Sequence, residues 1–185
     1  MARPASDGIR VIAGRWRGTR IAVADRAQLR PTPDRVRETL FNWLAPALPG
    51  ARCLDLFAGS GVLGIEALSR GAARCDAIEL DPALVLQLTA VSARLAAAGY
   101  TAHRANASTW LAQAAQPYDL VFIDPPFHAG LVPAVLDRLV CGWLAPQALV
   151  YVECERAIAP AHPQLSPYRA GTTQQISYRL LRFTP

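Results

Sequence analysis

The chain has 185 residues, 52% of them hydrophobic, with a formal net charge of +5. That length suits one ordinary domain with a real core and a short extension. No apolar run approaches the roughly 18 residues that a bilayer span needs, and residues 1–10 are polar, without the hydrophobic stretch of a secretory signal. The composition therefore reads as a soluble, cytoplasmic protein with no membrane partner.

The charge is unevenly spread. Residues 1–40 hold nine Arg against four acidic residues, whereas residues 41–185 hold ten of each. The whole excess thus lies in the N-terminal fifth. An Arg cluster of this kind is a footprint suited to phosphate backbones, and a solvated basic tail has the same composition. Cys53, Cys75, Cys141 and Cys154 form no CxxC pair, and His103, His128 and His162 lack metal-ligand spacing. No metal is expected. Cys53 and Cys154 lie in apolar runs that favour buried, reduced thiols.

In chain order, residues 9–12 and 20–23 are expected to pair as a hairpin around Gly14-Arg15-Trp16-Arg17-Gly18. Pro31-Thr32-Pro33 then opens a helix, with Thr32 as N-cap and Pro33 at the first helical position. That helix runs through Leu40-Phe41-Asn42-Trp43-Leu44 and stops before Pro46. Beyond residue 50, β runs at 52–57, 75–79, 101–104, 120–123 and 149–153 alternate with helical stretches near 63–69, 82–98, 108–114 and 131–139. Pro82 fits a first helical turn, and Gly71 and Gly99 fit helix stops. Continuous apolar strands alternating with helices predict an α/β fold, a mostly parallel sheet covered on both faces. Residues 175–183 add the final strands, with a terminal antiparallel strand.

Two strand ends carry the candidate cofactor site. The first leads into Asp55-Leu56-Phe57-Ala58-Gly59-Ser60-Gly61-Val62-Leu63-Gly64. Glycines let a backbone turn sharply and approach a ligand closely. Gly59, Gly61 and Gly64 also satisfy GxGxxG, which keeps a dinucleotide site open and motivates an NAD-dependent oxidoreductase as a competing class. Asp55 helps to separate the two. It would repel a pyrophosphate but attract the ammonium and sulfonium of S-adenosylmethionine, unless it merely orders the loop. The second strand ends in Glu79-Leu80-Asp81-Pro82. Glu79 is placed to accept from ribose hydroxyls, and Asp81 is placed to cap the following helix. After the third strand, Asn106-Ala107 is assigned to the adenine edge, although Asn is common in such turns.

The fourth strand runs into Asp124-Pro125-Pro126-Phe127. Ligands in such sheets bind beyond the carboxyl ends of the strands, so this tetrapeptide should face the glycine loop. Two prolines fix φ and remove two donors, leaving a rigid surface of carbonyls beside a carboxylate. An aromatic amine is a poor nucleophile because its lone pair is delocalised. Accepting both of its N–H groups, through Asp124 and the Pro125 carbonyl, would favour a pyramidal nitrogen aimed at a methyl donor. Stacking on Phe127 would hold the base, at about 1–3 kcal/mol. The reading at this point is amino-methyl transfer from S-adenosylmethionine, with Asp124, Pro125 and Phe127 as catalytic residues and Asp124 also touching the cofactor.

These motifs resemble those of class I amino-methyltransferases, whose fold is Rossmann-like. The segments Arg10-Val11-Ile12-Ala13-Gly14-Arg15-Trp16-Arg17-Gly18 and Arg30-Pro31-Thr32-Pro33-Asp34-Arg35-Val36-Arg37-Glu38-Thr39-Leu40-Phe41-Asn42-Trp43-Leu44 closely resemble the RsmD family. The likeness extends through Gly142-Trp143-Leu144 and Tyr151-Val152-Glu153, and the tail after Ala157 is less distinctive. Ala13 departs from the pattern, which usually has a second glycine there. The resemblance implies methylation of N2 on a single guanine of 16S ribosomal RNA, of the guanine 966 type, within an assembled small ribosomal subunit. It divides the chain into a basic RNA-binding extension at 1–45 and a methyltransferase domain at 46–185. It assigns Arg15, Arg17, Arg20, Arg30, Thr32, Arg35 and Arg37 to RNA, with Trp16 stacking on a base. Arg37 has an alternative use, pairing with Glu38 or closing over the cofactor. Within the same chemistry, DNA adenine or cytosine and protein glutamine remain as other acceptors. A catalytically silent RNA-binding protein remains as another class.

Overall fold

The computed structural model describes residues 8–22, 33–156 and 159–185. The hairpin forms from β1 (Ile9–Arg10) and β2 (Arg20–Ile21), paired antiparallel. Helix α1 (Asp34–Leu44) follows, burying Val36, Leu40, Phe41 and Leu44 on one stripe. Its N-cap is Pro33, with no side-chain cap bond, so the helix starts one residue later than predicted. Thr32, Pro31 and Arg30 lie outside the described residues.

The central sheet takes its first five strands in parallel: β3 (Arg52–Asp55), β4 (Arg74–Glu79), β5 (Tyr100–Arg104), β6 (Tyr118–Ile123) and β7 (Leu144–Glu155). Two antiparallel strands complete it, β8 (Leu165–Thr172) and β9 (Ile176–Phe183), in the order β5-β4-β3-β6-β7-β9-β8. The predicted α/β, Rossmann-like architecture with terminal antiparallel structure is what forms. The strand order reverses between β3 and β6, and a ligand crevice belongs at such a switch point.

Helices cover both faces. On one side α1, α2 (Val62–Ser69) and α3 (Pro82–Arg94) pack with Cys53, Leu120, Phe122 and Tyr151 in one apolar cluster. On the other, α4 (Ala107–Trp110) and α5 (Val132–Leu139) pack with Leu54, Val121 and Val150. Ile9, Val11 and Ile21 of the hairpin belong to the first cluster. The N-terminal extension therefore shares the core of the sheet rather than having its own.

Three differences from the sequence reading have local causes. Strand β8 was not anticipated, because it contains Pro167 and Gly171 and leaves most of its side chains exposed. It is an edge strand, where a missing donor is tolerated. Gly171 is required there, since a Cβ would come within 2.2 Å of the Tyr178 ring, which stacks on Trp43 at 5.6 Å. Helix α3 ends at Arg94, and the left-handed turn falls on Ala96 (φ 48°) instead of Gly99. Gly99 serves close packing, because a Cβ there would meet the Ala73 carbonyl oxygen at 2.5 Å. Helix α4 is only four residues long.

Among the described residues, no helix is long and apolar enough to cross a membrane, and no group of three His, Cys, Asp or Glu could hold a metal. Cys53, Cys75 and Cys154 are buried free thiols, and Cys141 is exposed.

Candidate active site

A cleft of about 1430 Å³ opens at the carboxyl ends of β3, β4, β5, β6 and β7. Typical small-molecule pockets hold roughly 300–1,000 Å³, so it has room for a cofactor and a second group. Phe57, Ala58, Gly59 and Ser60 form one wall, and Glu79 and Leu80 continue it. Asn106 and Ala107 line it after β5, and Asp124, Pro125, Pro126 and Phe127 line it from the end of β6, the strand next to β3. The two motifs that the sequence placed face to face do line the same cleft.

Glu79 organises the glycine loop as well as the wall. Its Oε2 accepts the backbone N–H of Gly59 at 2.9 Å, and its Oε1 accepts that of Asp81 at 2.8 Å. Asp81 caps α3, accepting the Ala83 N–H at 2.8 Å, with Pro82 following in the first turn. Beside Glu79, the Leu80 side chain stands 62% exposed in the cleft.

Asp55 and Gly61, both assigned to cofactor contact, are not among the residues that line the cleft. Asp55, the last residue of β3, turns beneath the loop and is 1% exposed. It accepts backbone N–H groups of Phe57 and Gly64, and its Oδ1 has no hydrogen-bond partner. Burial pushes its carboxyl up to about 7, the two backbone bonds oppose that shift, and the charge of Glu79 adds to it. Asp55 orders the loop from behind. Gly61 caps α2 in the left-handed region (φ 74°). A Cβ there would run into Leu88 at 2.4 Å and the Tyr100 hydroxyl at 2.6 Å, so this glycine makes room for the core.

Asn106 is the N-cap of α4, its Oδ1 accepting the Ser108 N–H at 2.8 Å. That oxygen is the atom the adenine assignment would use, so a large part of its capacity serves the helix. The loop after Phe127 is tied to the sheet, since the His128 backbone N–H donates to Glu155 at the end of β7. This bond holds the Glu155 carboxyl below its usual range. His128 adopts φ 62° in that turn. Phe127 is half-buried on the cleft wall.

Three further parts of the wall carry no sequence signal. Glu153 at the end of β7, Thr173 and Gln175 in the β8–β9 turn, and Ile9 with Pro33 from the extension all face the cleft. They come from segments far apart in the chain, and only the fold brings them together.

The basic arm is held by a buried carboxylate. Glu66 of α2 is fully buried and accepts the backbone N–H groups of Ile12 at 2.7 Å and Ala13 at 3.0 Å, and the Arg70 Nε at 2.7 Å. Ser69 receives the Trp16 N–H at 3.0 Å and donates to the Ala13 carbonyl at 2.6 Å. Gly14 (φ 81°) is indispensable, because a Cβ there would lie 1.9 Å from the Ser69 carbonyl oxygen. Ala13 has no positive φ, so alanine is accommodated where a glycine was expected.

Arg37 is corrected outright as an RNA contact. It is 0% exposed, donates to the Arg10 carbonyl at 2.9 Å and to Asp34 at 2.6 Å, and lies 3.8 Å from Glu66. Its partners are Asp34 and Glu66, not Glu38. Arg15, Arg17, Arg20 and Arg35 are exposed. Trp16 is half-buried against the core, with the Arg15 guanidinium 5.5 Å from its ring centroid.

A family model described as "Conserved hypothetical protein 95" matches residues 9–182. Ribosomal RNA small subunit methyltransferase D of Escherichia coli is 47% identical over 97% of this chain and 94% of its own length. The solved structure of the Escherichia coli protein yhhF superposes with a TM-score of 0.88 at 45% identity, covering 95% of this chain and 98% of that one. A Salinibacter ruber RNA methyltransferase solved with S-adenosyl-L-homocysteine shares the fold at 17% identity and a TM-score of 0.64, with 84% of this chain and 94% of that one covered.

Proposed function

We propose, for a chain that belongs to the Conserved hypothetical protein 95 family, the activity of an S-adenosylmethionine-dependent methyltransferase acting on N2 of one guanine in 16S ribosomal RNA, of the guanine 966 type. The observation that carries this reading is the shared cleft, with the Phe57–Ser60 loop on one wall and Asp124, Pro125 and Phe127 on the other. The 47% identical Escherichia coli relative named for ribosomal RNA small-subunit methylation supports the choice of RNA. An NAD-dependent oxidoreductase would use the glycine spacing and Glu79, but it leaves Asp124-Pro125-Pro126-Phe127 without a task.

Bound S-adenosylmethionine would supply the electrophilic methyl group. Glu79 and Leu80 would hold its nucleoside end, and the Phe57–Ser60 backbone would follow its amino-acid end. On the other wall, Phe127 stacks on a guanine that has left its helix. Asp124 and the Pro125 carbonyl accept the two N2 hydrogens, which draws the nitrogen lone pair out of the ring. The N–C bond would form as the S–CH3 bond of the sulfonium breaks, leaving S-adenosylhomocysteine, and the proton lost from N2 would pass to the Asp124 carboxylate and then to water. Positioning and charge stabilisation supply the acceleration.

The exposed Arg15, Arg17, Arg20 and Arg35 would meet phosphates around the target, with Trp16 beside them. The substrate in this reading is the assembled small subunit, met in the cytoplasm. The direct test supplies labelled S-adenosylmethionine with small subunits lacking the modification, free 16S RNA and duplex DNA. Label on guanine N2 of the small subunit is expected. Label on DNA adenine alone, or on none of the three, contradicts the reading.

A further inference from the structure

We propose that Glu153 reads the N1–H of the target base and so makes the site specific for guanine; this rests on the guanine-N2 reading above. In the parallel ladder Ile123 stands opposite Val152. Asp124 and Glu153 are therefore the next residues on neighbouring strands, which run about 4.8 Å apart. Both line the cleft. Glu153 is only 5% exposed, so its carboxylate serves this cleft and not the outer surface.

The side chain is also held in place. The Tyr151 hydroxyl donates to Glu153 Oε2 at 2.9 Å within the buried layer beneath the cleft. Burial and the nearby charges of Glu153 and Asp124 push the Tyr151 hydroxyl well above its ordinary pKa, so it stays a donor. A carboxylate has about four acceptor positions, so a carboxylate bonded within the fold can also accept from a ligand. Glu153 presents an acceptor at a fixed point one strand away from the group that grips the amine.

The chemistry of the base edges then decides what fits. In guanine, two ring nitrogens flank the amino-bearing carbon, and the one on the Watson–Crick edge, N1, carries a hydrogen. In adenine and cytosine, the ring nitrogen beside the amino group is an acceptor. A base whose amine sits on Asp124 and the Pro125 carbonyl thus offers Glu153 a donor if it is guanine. If it is adenine or cytosine, a lone pair faces the carboxylate. The discrimination comes as much from that repulsion as from the bond made. This assigns a task to the Tyr151-Val152-Glu153 segment, which amine activation alone leaves unused.

The test places guanine or 2,6-diaminopurine at the target position of small subunits reconstituted with ligated ribosomal RNA. Diaminopurine keeps the 2-amino group and lacks the N1 hydrogen. The wild-type enzyme is expected to favour guanine by about 10- to 100-fold in kcat/KM, the range of one good edge contact. Glu153→Gln, which can donate to a bare N1, should lose guanine activity and narrow that ratio by at least 10-fold while binding S-adenosylhomocysteine normally. Equal wild-type rates on the two bases overturn the assignment even if the variant does not fold. So does a folded Glu153→Gln with an unchanged ratio. A wild-type enzyme inactive on both bases instead overturns the guanine-N2 reading itself.

Discussion

Glu79 accepts the backbone N–H of Gly59 at 2.9 Å, and that bond ties the end of β4 to the cofactor loop at the end of β3. Glu79 thus shapes the loop, and in the proposed reading it also accepts from a ribose. A hydrogen bond to a charged group contributes about 1.5–3 kcal/mol. Glu79→Ala is expected to weaken S-adenosylhomocysteine binding by roughly 10- to 100-fold, and Glu79→Gln by less. Titration calorimetry checks this, and unchanged affinity in Glu79→Ala would remove Glu79 from the site.

The Arg37–Glu66 pair makes a different prediction. Both side chains are 0% exposed, and Glu66 also holds two backbone N–H groups and Arg70. Removing one partner of a buried pair leaves the other charge unmatched, at about 3–5 kcal/mol. Glu66→Ala and Arg37→Ala should each lower the urea midpoint strongly. If Arg37 were a surface RNA contact, Arg37→Ala would leave that midpoint unchanged.

Exposed arginines should behave in the opposite way. Arg15→Ala and Arg17→Ala are expected to leave stability within about 0.5 kcal/mol. Each true phosphate contact removed should lower the slope of log affinity against log salt by roughly 0.7–0.9. Binding to small-subunit particles at several salt concentrations measures it. A slope that does not move assigns these side chains to solvent.

Asp55 gives a pH signature. Its carboxyl is raised in the folded state from the ordinary 3.8 to about 7. The folded protein therefore holds this proton more tightly than the unfolded chain does. The associated stability is fully present below pH 3.8 and is lost as pH rises towards 7. Asp55→Asn has no such proton to lose. In urea unfolding, the stability of Asp55→Asn relative to wild type should rise between pH 5 and pH 8. A pH-independent difference would mean that Asp55 titrates normally.

The sequence carried the fold and the two walls of the cleft because both rest on local signals. Apolar strands alternate with helices, Gly59 begins a loop, and two prolines follow Asp124. Strand β8 was not legible, because an edge strand with Pro167 and Gly171 has no periodicity to read. Asp55 reads as a cofactor contact because a carboxylate attracts an ammonium and a sulfonium, but whether such an acid faces the crevice or turns under the loop is decided by packing. Arg37 sits among the arginines of the basic extension, and packing again decides its place. A helix stripe that buries Val36, Leu40, Phe41 and Leu44 also buries the residue beside it, and its partner Glu66 lies 29 positions away. Glu153 escaped notice as a site residue, since its neighbour Asp124 is adjacent only across strands.

The most direct measurement is single-turnover methyl transfer by Asp124→Ala on small subunits lacking the modification, with S-adenosylhomocysteine affinity measured on the same preparation. Loss of a preorganised group at the reacting atom costs about 100- to 1,000-fold in rate. The expected loss is at least that large, with cofactor affinity within a few-fold of wild type. Transfer at the wild-type rate by a folded, cofactor-binding Asp124→Ala contradicts it.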